Sequence, residues 1–289
     1  MRNRHPELLI PASSLEVLKT AVMFGADAVY IGGEAFGLRA KAKNFSMEDM
    51  KEGVRFAHEH GARVHVTVNI LAHNDDLQGA AEYLKELKEI APDALIIADP
   101  AIFMLAKEIC PEIERHVSTQ ANNTNYGTFN FWWNLGAKRV VTARELSLKE
   151  IKEIRAHIPE DMEIESFIHG AMCISYSGRC LLSNFFTARD ANQGACTHPC
   201  RWKYSVVEET RPGEYMPVYE NERGTYIFNS KDLCMIEHIP EMIDAGIDSF
   251  KIEGRMKTAL YVATVARTYR KAIDDYLEDP KKYEANMPW

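Results

Sequence analysis

The sequence predicts an α/β protein of the (β/α)8 or TIM-barrel class with a cysteine-rich insertion after strand 7. Eight short apolar or β-branched segments recur along the 289 residues, and stretches with helical spacing separate them. The segments are apolar almost throughout, as expected of parallel strands that helices cover. We therefore expect one barrel domain over residues 1–289, with the insertion at 171–235 inside it.

The predicted strands follow one another at regular intervals until residue 170, and the eighth comes after the insertion. In chain order they are ELLIPA, DAVYIGG, RVHVTVN, ALIIAD, RHVSTQ, KRVVTA, EIESFIHG and SFKIEGR.

The intervening helices are marked by their ends. Ser14 and Ser46 are suited to N-cap the first two helices, and Gly25 and Gly61 to end them. TALYVATVARTYRKAIDDYL supplies the closing helix. The segment DDLQGAAEYLKELKEI places its apolar residues on one helical face, namely Leu77, Ala80, Ala81, Leu84 and Leu87.

Charge and hydropathy indicate which partners and which cellular compartment to expect. The formal net charge of −8 gives no overall attraction to a polyanion, so contact with nucleic acid requires a local basic patch. The N-terminal apolar run is shorter than a secretory core, and no stretch reaches the roughly 20 residues that span a bilayer. We expect a cytoplasmic protein without a membrane segment, in a compartment where structural disulfides are rare.

Four of the six cysteines, Cys173, Cys180, Cys196 and Cys200, lie close together with the spacing Cys-x6-Cys-x15-Cys-x3-Cys. Only the pair in CTHPC has the short spacing of a zinc knuckle. Four thiolates also suit a 4Fe-4S cluster, whose ligands tolerate irregular spacing. The pattern favours the cluster and leaves zinc and unligated thiols as alternatives, while Cys234 is expected to pack.

Polar residues follow the predicted strands, and in a barrel of this class those positions surround the catalytic mouth. Arginines there suit carboxylates, and amides suit hydroxyl groups, so we expect a small polyanionic substrate. Glu165 and His169, in strand 7, are the candidate catalytic residues. Trp202, in CRWKY, is a candidate for stacking on an unpaired base. The candidate binding residues at the mouth are Arg39, Asn69, Gln120, Arg144 and Arg255.

Longer motifs resemble a known family. ESFIHGAMCISYSGRCLLSNF with RDANQGACTHPCRWKY, followed by RPGEYMPVYE, GTYIFNSKDL and FKIEGRMK, is similar to the collagenase-like peptidase family of unassigned catalytic type, number thirty-two in that series. Within it the match is to the tRNA hydroxylation protein P branch. The resemblance implies a barrel enzyme with a 4Fe-4S cluster on the four clustered cysteines. It also implies tRNA and a prephenate-like carboxylate donor as partners, in 5-hydroxylation of the wobble uridine.

The resemblance also implies a further small C-terminal domain, which we do not expect within residues 1–289. The family name adds a peptidase acting on a protein substrate as the alternative function. The sequence contains neither His-Glu-x-x-His nor Gly-x-Ser-x-Gly, so a protease would need a reactive thiolate beside His169 or His198. A zinc-stabilised binding scaffold is the second alternative.

Overall fold

A closed parallel barrel forms the body of the protein. The computed structural model describes residues 5–36, 44–173, 175–202, 204–207, 209–217 and 232–286, so Arg39 lies outside the described residues. Within these ranges the barrel strands are β1 (Glu7–Pro11), β2 (Ala28–Gly32), β3 (Arg63–Val68), β4 (Ala94–Ile97), β5 (Glu114–Val117), β6 (Arg139–Val141) and β7 (Glu163–Gly170). After β7 come β8 (Ser205–Val207), β9 (Tyr215–Pro217), β10 (Leu233–Cys234) and the last barrel strand, β11 (Ser249–Ile252).

The strand order shows that the barrel is complete. Strands β1 to β7 pair in sequence order, and β11 pairs with both β7 and β1, in each case in parallel. The TIM-type barrel predicted from the sequence is thus confirmed. Its closing strand reaches β7 with an irregular register, in which Lys251 is opposite Phe167 but Ile252 is opposite His169.

Helices cover the outside of the barrel. They are α1 (Leu15–Met23), α2 (Met47–Glu59), α3 (Asp76–Ile90), α4 (Pro100–Ile109), α5 (Tyr126–Leu135), α6 (Leu148–His157), α8 (Ile239–Asp244), α9 (Ala259–Glu278) and α10 (Pro280–Asn286). The short helix α7 (Leu182–Thr187) belongs instead to the segment that follows β7. None of the described helices is long and apolar enough to cross a bilayer.

The predicted helix ends are confirmed. The Ser14 hydroxyl accepts a hydrogen bond from the Val17 amide, and the Ser46 hydroxyl accepts one from the Asp49 amide. Each cap therefore satisfies an amide that the first helical turn leaves without a partner. Gly25 and Gly61 follow the same helices with φ of +101° and +76°, a conformation that glycine adopts without strain.

The two faces of the barrel strands differ in polarity. Their outward side chains join the helices in one large apolar core, whereas the inward cluster contains only Leu9, Ala28, Tyr30 and Ile96. Ion pairs occupy much of the remaining interior. The buried Arg139 lies within hydrogen-bonding distance of Glu7, Glu163 and Glu165. The interior of this barrel is therefore partly ionic, which the apolar strand patterns do not indicate.

The segment between β7 and α8 differs from the other strand-to-helix connections. It contains α7, the antiparallel hairpin of β8 and β9, and β10, which pairs antiparallel with β7. Since β7 ends at the C-terminal edge of the barrel, this segment begins at the mouth where the chemistry of such folds takes place.

Candidate active site

A cavity of about 160 Å³ lies at the C-terminal ends of the strands, between the barrel and the segment after β7. Four of the binding residues predicted from the sequence line it together, namely Asn69, Gln120, Arg144 and Arg255. The other side of the cavity is lined by residues of the segment after β7, including Cys173, Cys180, Cys196 and Cys200. The fold thus brings the polar strand ends and the clustered thiols to the same cavity.

Contacts with two barrel loops hold the cysteine-bearing segment over the mouth. The Gln193 side chain donates to the carbonyl of Leu71, and the Leu71 amide lies 3.4 Å from the carbonyl oxygen of Asn192. Gly178 adopts φ +70°, and a Cβ at this position would lie 2.8 Å from the backbone oxygen of Gln120. Only glycine allows this approach without displacement of one of the two loops.

The four thiols form one electrostatic group. Burial raises the pKa of Cys200, and the charges of Cys173, Cys196 and Cys180 act in the same direction. The backbone amide of His198 donates to Cys196 Sγ at 3.4 Å, the kind of contact that stabilises a metal-bound thiolate. Four sulfur ligands lining one cavity fit an iron-sulfur cluster by their chemistry. A single tetrahedral zinc ion fits less well, because among the described residues no three of these sulfurs lie within 4.8 Å of one another.

Cys234 is separate from this group. It lies in β10, its sulfur is 3.9 Å from the Tyr269 hydroxyl, and it is not among the residues that line the cavity. Cys234 is exposed, so the structure does not give it the packed position that the sequence predicted.

Arg144 connects the thiols to the positive side of the cavity. Its guanidinium lies 3.4 Å from Glu253 Oε2 and 4.5 Å above the Phe167 ring. Burial lowers the pKa of Arg144, but the charges of Cys173 and Glu253 outweigh burial and hold the value above its usual range. Its Nε and Nη1 atoms are buried and have no hydrogen-bond partner among the described residues. Buried donors of this kind favour an anion.

Arg255 and Lys251 add positive charge at the cavity. Arg255 Nη1 donates to Thr67 Oγ1 at 2.9 Å, and a side chain at Gly32 would collide with this nitrogen. Lys251 Nζ lies 4.5 Å from the centre of the Tyr30 ring. Together with Arg144, these side chains form an electropositive floor beneath the thiols.

Glu165, the predicted catalytic carboxylate, lies below this floor. It is fully buried, accepts from Lys251 Nζ at 2.6 Å and from Arg139 Nη1 at 3.1 Å, and does not line the cavity. It therefore reaches the cavity only through Lys251.

His169, the second predicted catalytic residue, is directed toward α9. Its Nδ1 lies 3.3 Å from the Tyr269 hydroxyl, its ring packs edge-on against Tyr269, and it does not line the cavity. Burial lowers the pKa of this imidazole, which favours its neutral form. The structure thus places His169 apart from Asn69, Gln120, Arg144 and Arg255, which line the cavity.

Trp202 lies beside the cavity rather than in it. It follows the cavity-lining Arg201, is 44% exposed, and packs against Phe186 and Tyr204. The exposed ring faces solvent on the outer surface of the cysteine-bearing segment.

The barrel interior contains two buried histidines that the sequence did not single out. His65 and His116 contact edge to face, and their ring nitrogens and a Glu165 oxygen lie within 4.8 Å of one another. Burial lowers the pKa of both imidazoles well below the usual value, so both rings are neutral. A divalent ion here would be buried beside Arg139 and Lys251, which already share the Glu165 carboxylate. This arrangement disfavours a metal ion at the three residues.

The aromatic walls of the cavity were also missed. Tyr30 and Phe167 line it and face the Lys251 ammonium at 4.5 and 5.5 Å from their ring centres. An aromatic residue within an apolar strand gives no sequence signal that distinguishes a cavity wall from ordinary core.

The chain is similar to known proteins in sequence and in fold. The model of peptidase family U32 matches residues 13–289. The chain is 49% identical over 286 residues to tRNA hydroxylation protein P1 of Bacillus subtilis, covering 99% of this chain and 67% of that protein. It is 44% identical over 309 residues to tRNA hydroxylation protein P of Escherichia coli, covering 93% of this chain and 68% of that protein.

A solved structure supports the fold. A U32 peptidase superposes with a TM-score of 0.56 at 16% identity, over 86% of this chain and 93% of that one. The chain spans about two thirds of the length of the two relatives named above. On the match over residues 13–289, this chain belongs to peptidase family U32.

Proposed function

We propose that this chain carries the catalytic barrel of a tRNA hydroxylase that adds a hydroxyl group to C5 of the wobble uridine. In this proposal Cys173, Cys180, Cys196 and Cys200 hold a 4Fe-4S cluster, and a small carboxylate compound resembling prephenate is the donor. The observation that carries it is that four thiols and a group of buried cations line the same cavity. The names of two relatives as tRNA hydroxylation proteins support the choice of reaction.

The donor site is proposed around Arg144. This guanidinium has two buried nitrogens without a partner among the described residues, and Lys251 and Arg255 line the same cavity. Glu253 is the one carboxylate among the described lining residues, and the cations there are Arg144, Arg201, Lys251 and Arg255. A carboxylate of the donor would pair with the buried Arg144 nitrogens, and the Tyr30 and Phe167 rings would contact its apolar part.

Different side chains of the cavity are proposed to bind the donor and to position the acceptor. A bound cluster would supply electron transfer or a Lewis-acidic iron. Arg144 interacts with both Cys173 and Glu253, so a carboxylate that it binds is held near Cys173. Asn69 and Gln120 line the same cavity and offer amide groups for the hydroxyls of the donor or acceptor.

Lys251 and His198 line the cavity and are candidates for handling protons there. Lys251 Nζ donates to Glu165 at 2.6 Å. We therefore propose that Glu165 is a positioning residue that fixes this ammonium. The predicted catalytic role of His169 is testable with His169→Gln, which we expect to leave uridine hydroxylation in place because the ring contacts Tyr269 outside the lining.

The peptidase alternative receives less support from the geometry. A thiol protease requires a thiolate of low pKa next to an imidazole. Burial instead raises the pKa of Cys200, and the His169 ring contacts Tyr269. The remaining imidazole for a protease is His198, which lines the cavity with the four thiols. Collagen or casein cleavage that depends on one of the four thiols, in protein free of iron, would favour the peptidase.

The test of the proposed function combines metal content with tRNA analysis. A deletion strain is complemented with this chain, with Cys173→Ala or with the matched control Cys234→Ala, and hydroxyuridine is measured by mass spectrometry of tRNA nucleosides. We expect the wild type and Cys234→Ala to restore the nucleoside and to purify anaerobically as brown, iron-containing proteins, and Cys173→Ala to do neither. Unchanged hydroxyuridine in all strains would contradict the reaction. A colourless protein with stoichiometric zinc would contradict the cluster and favour the scaffold.

A further inference from the structure

Four aromatic side chains, three of them exposed and one half-buried, form a cluster beside the cavity. Phe185 and Phe186 come from α7, and Trp202 and Tyr204 follow the last clustered cysteine. We propose that these four residues, here called the aromatic platform, stack on unpaired bases of an RNA strand that flank the nucleotide entering the cavity. The inference rests on the proposed function and adds to it the surface on which the RNA is held.

The geometry of the platform suits stacking. Phe186 lies at its centre, with ring centres 5.2 Å from Phe185, 6.1 Å from Trp202 and 5.7 Å from Tyr204. Phe185 is 81% exposed, and Phe186 and Trp202 are each 44% exposed. Contiguous exposed rings are uncommon on a protein surface without a binding role. Rings that already contact one another at one edge and face solvent at the other can accept further π-faces without rearrangement.

Local charge favours RNA as the occupant. The stretch bounded by the platform residues, 185–204, contains three Lys and Arg residues against one Asp, whereas the whole insertion 171–235 contains seven of each sign and the whole chain has a formal net charge of −8. Arg179 and Arg201 are exposed, and Arg201 lies 3.5 Å from Asp232. The positive charge that nucleic-acid binding requires of an acidic protein is thus confined to the residues next to the platform. A protein-binding patch would instead have a core depleted in charged residues.

The platform is fixed relative to the thiols. The Thr197 amide donates to Ser183 Oγ at 3.0 Å, which joins α7 to the residue after Cys196. The Tyr204 hydroxyl donates to the carbonyl of Pro199 at 2.8 Å, next to Cys200. A base stacked on the platform is therefore held at a defined position relative to the cavity, as positioning of a neighbouring nucleotide requires.

The platform is continuous in sequence with the cavity lining. Cys200 and Arg201 line the cavity, and Trp202 is the next residue along the chain. An RNA strand crossing the platform therefore passes the entrance of the cavity. Stacking needs bases that are not paired, so a single-stranded loop is the form of RNA that this surface selects.

The test is binding of RNA by the full chain purified anaerobically. The probe is a labelled anticodon stem-loop, and a fully paired hairpin of the same length serves as the comparison RNA. We expect Phe185→Ala and Trp202→Ala each to weaken stem-loop binding by about 5- to 100-fold, the effect of losing one stacked base, and Trp202→Phe to retain most of it. Phe24→Ala is the matched control, because Phe24 is 42% exposed and follows α1 at the opposite end of the barrel.

Several outcomes would overturn the inference. The first is that the wild type does not bind the stem-loop. The second is that the wild type and the platform variants bind it with equal affinity. The third is that the variants lose affinity for the paired hairpin as much as for the stem-loop. A change in self-association caused by Trp202→Ala, with RNA affinity unchanged, would identify a protein interface instead.

The same samples separate this inference from the proposed function. Iron content and hydroxyuridine formation are measured on each variant. If the wild type forms hydroxyuridine but Phe185→Ala and Trp202→Ala bind RNA with unaltered affinity, the platform is contradicted and the proposed reaction is not. Platform-dependent RNA binding by a protein that forms no hydroxyuridine supports the platform and contradicts the reaction.

Discussion

Lys251 Nζ and Glu165 Oε1 lie 2.6 Å apart inside the barrel, and both side chains are buried. Glu165 also accepts from Arg139, so one carboxylate balances two cations at the base of the cavity. The electropositive floor on which the donor site depends is therefore held by an anion that the donor does not contact.

The variant Glu165→Gln removes that anion from between two buried cations. We expect its free energy of unfolding to fall by roughly 3–5 kcal/mol, because breaking a buried pair leaves charge uncompensated. Urea denaturation measures the change. Glu112→Gln is the control, since Glu112 is paired with Lys88 at the surface and should change stability by only about 0–1 kcal/mol. Equal stability of the two variants would show that the interior pair is not structural.

Arg144 is expected to determine affinity for the carboxylate donor. Its unpartnered buried nitrogens would lose charge-assisted hydrogen bonds in Arg144→Gln, so we expect the dissociation constant for prephenate to rise about 10- to 100-fold. Calorimetric titration of the anaerobic protein measures it. Arg144→Lys should recover part of the affinity, and Arg55→Gln, on the exposed face of α2, should have no effect. Wild-type affinity in Arg144→Gln would place the donor elsewhere.

Gly178 is expected to control iron occupancy through its contact with Gln120. In Gly178→Ala the new Cβ would lie 2.8 Å from the Gln120 backbone oxygen, so the turn before Cys180 must shift. We expect iron content to fall while the unfolding midpoint of the barrel changes little. Gly213→Ala is a close control, because its φ of +92° is also positive but nothing lies within 4 Å of the added atom. A similar iron content in both variants would exclude the contact as the cause.

Asp248 is expected to make stability depend on pH. Burial raises the pKa of its carboxyl group to about 6, while hydrogen bonding to Ile164 and the charge of Arg155 oppose the shift. The folded pKa thus exceeds the unfolded one, so this group stabilises the protein at low pH, and that stabilisation is lost as pH rises from about 4 to 6. Asp248→Asn should remove this part of the pH dependence. Urea unfolding of both proteins across the window tests it, and parallel curves would contradict the shift.

The features predictable from the sequence are those set by short-range interactions. The caps at Ser14 and Ser46 depend on hydrogen bonds to an amide three residues away, and both are present. The cysteines could be grouped because they are close along the chain. The positions of Asn69, Gln120, Arg144 and Arg255 at one mouth followed from strand ends, since the C-terminal ends of parallel strands share one edge of a barrel.

The placement of strand 7 side chains could not be obtained in this way. Strict alternation from Glu165 through Phe167 would direct His169 toward the cavity. The register shift between β7 and β11 breaks the alternation, and the Tyr269 hydroxyl lies within hydrogen-bonding distance of both the Ile168 carbonyl and the His169 ring. Pairing register and a contact with α9, 100 residues away, are interactions that the local pattern does not contain.

By itself the sequence determined the barrel class, the helix ends, the clustered thiols and the polar strand ends, because each depends on periodicity or on neighbours within a few residues. Only the tertiary structure decided which groups meet. It placed Glu165 beside Lys251, directed His169 toward Tyr269, and brought the Arg144 guanidinium to Cys173. The physical reason is that closure of the barrel and the register of its last strand set these distances, and both arise from contacts between residues far apart in the chain.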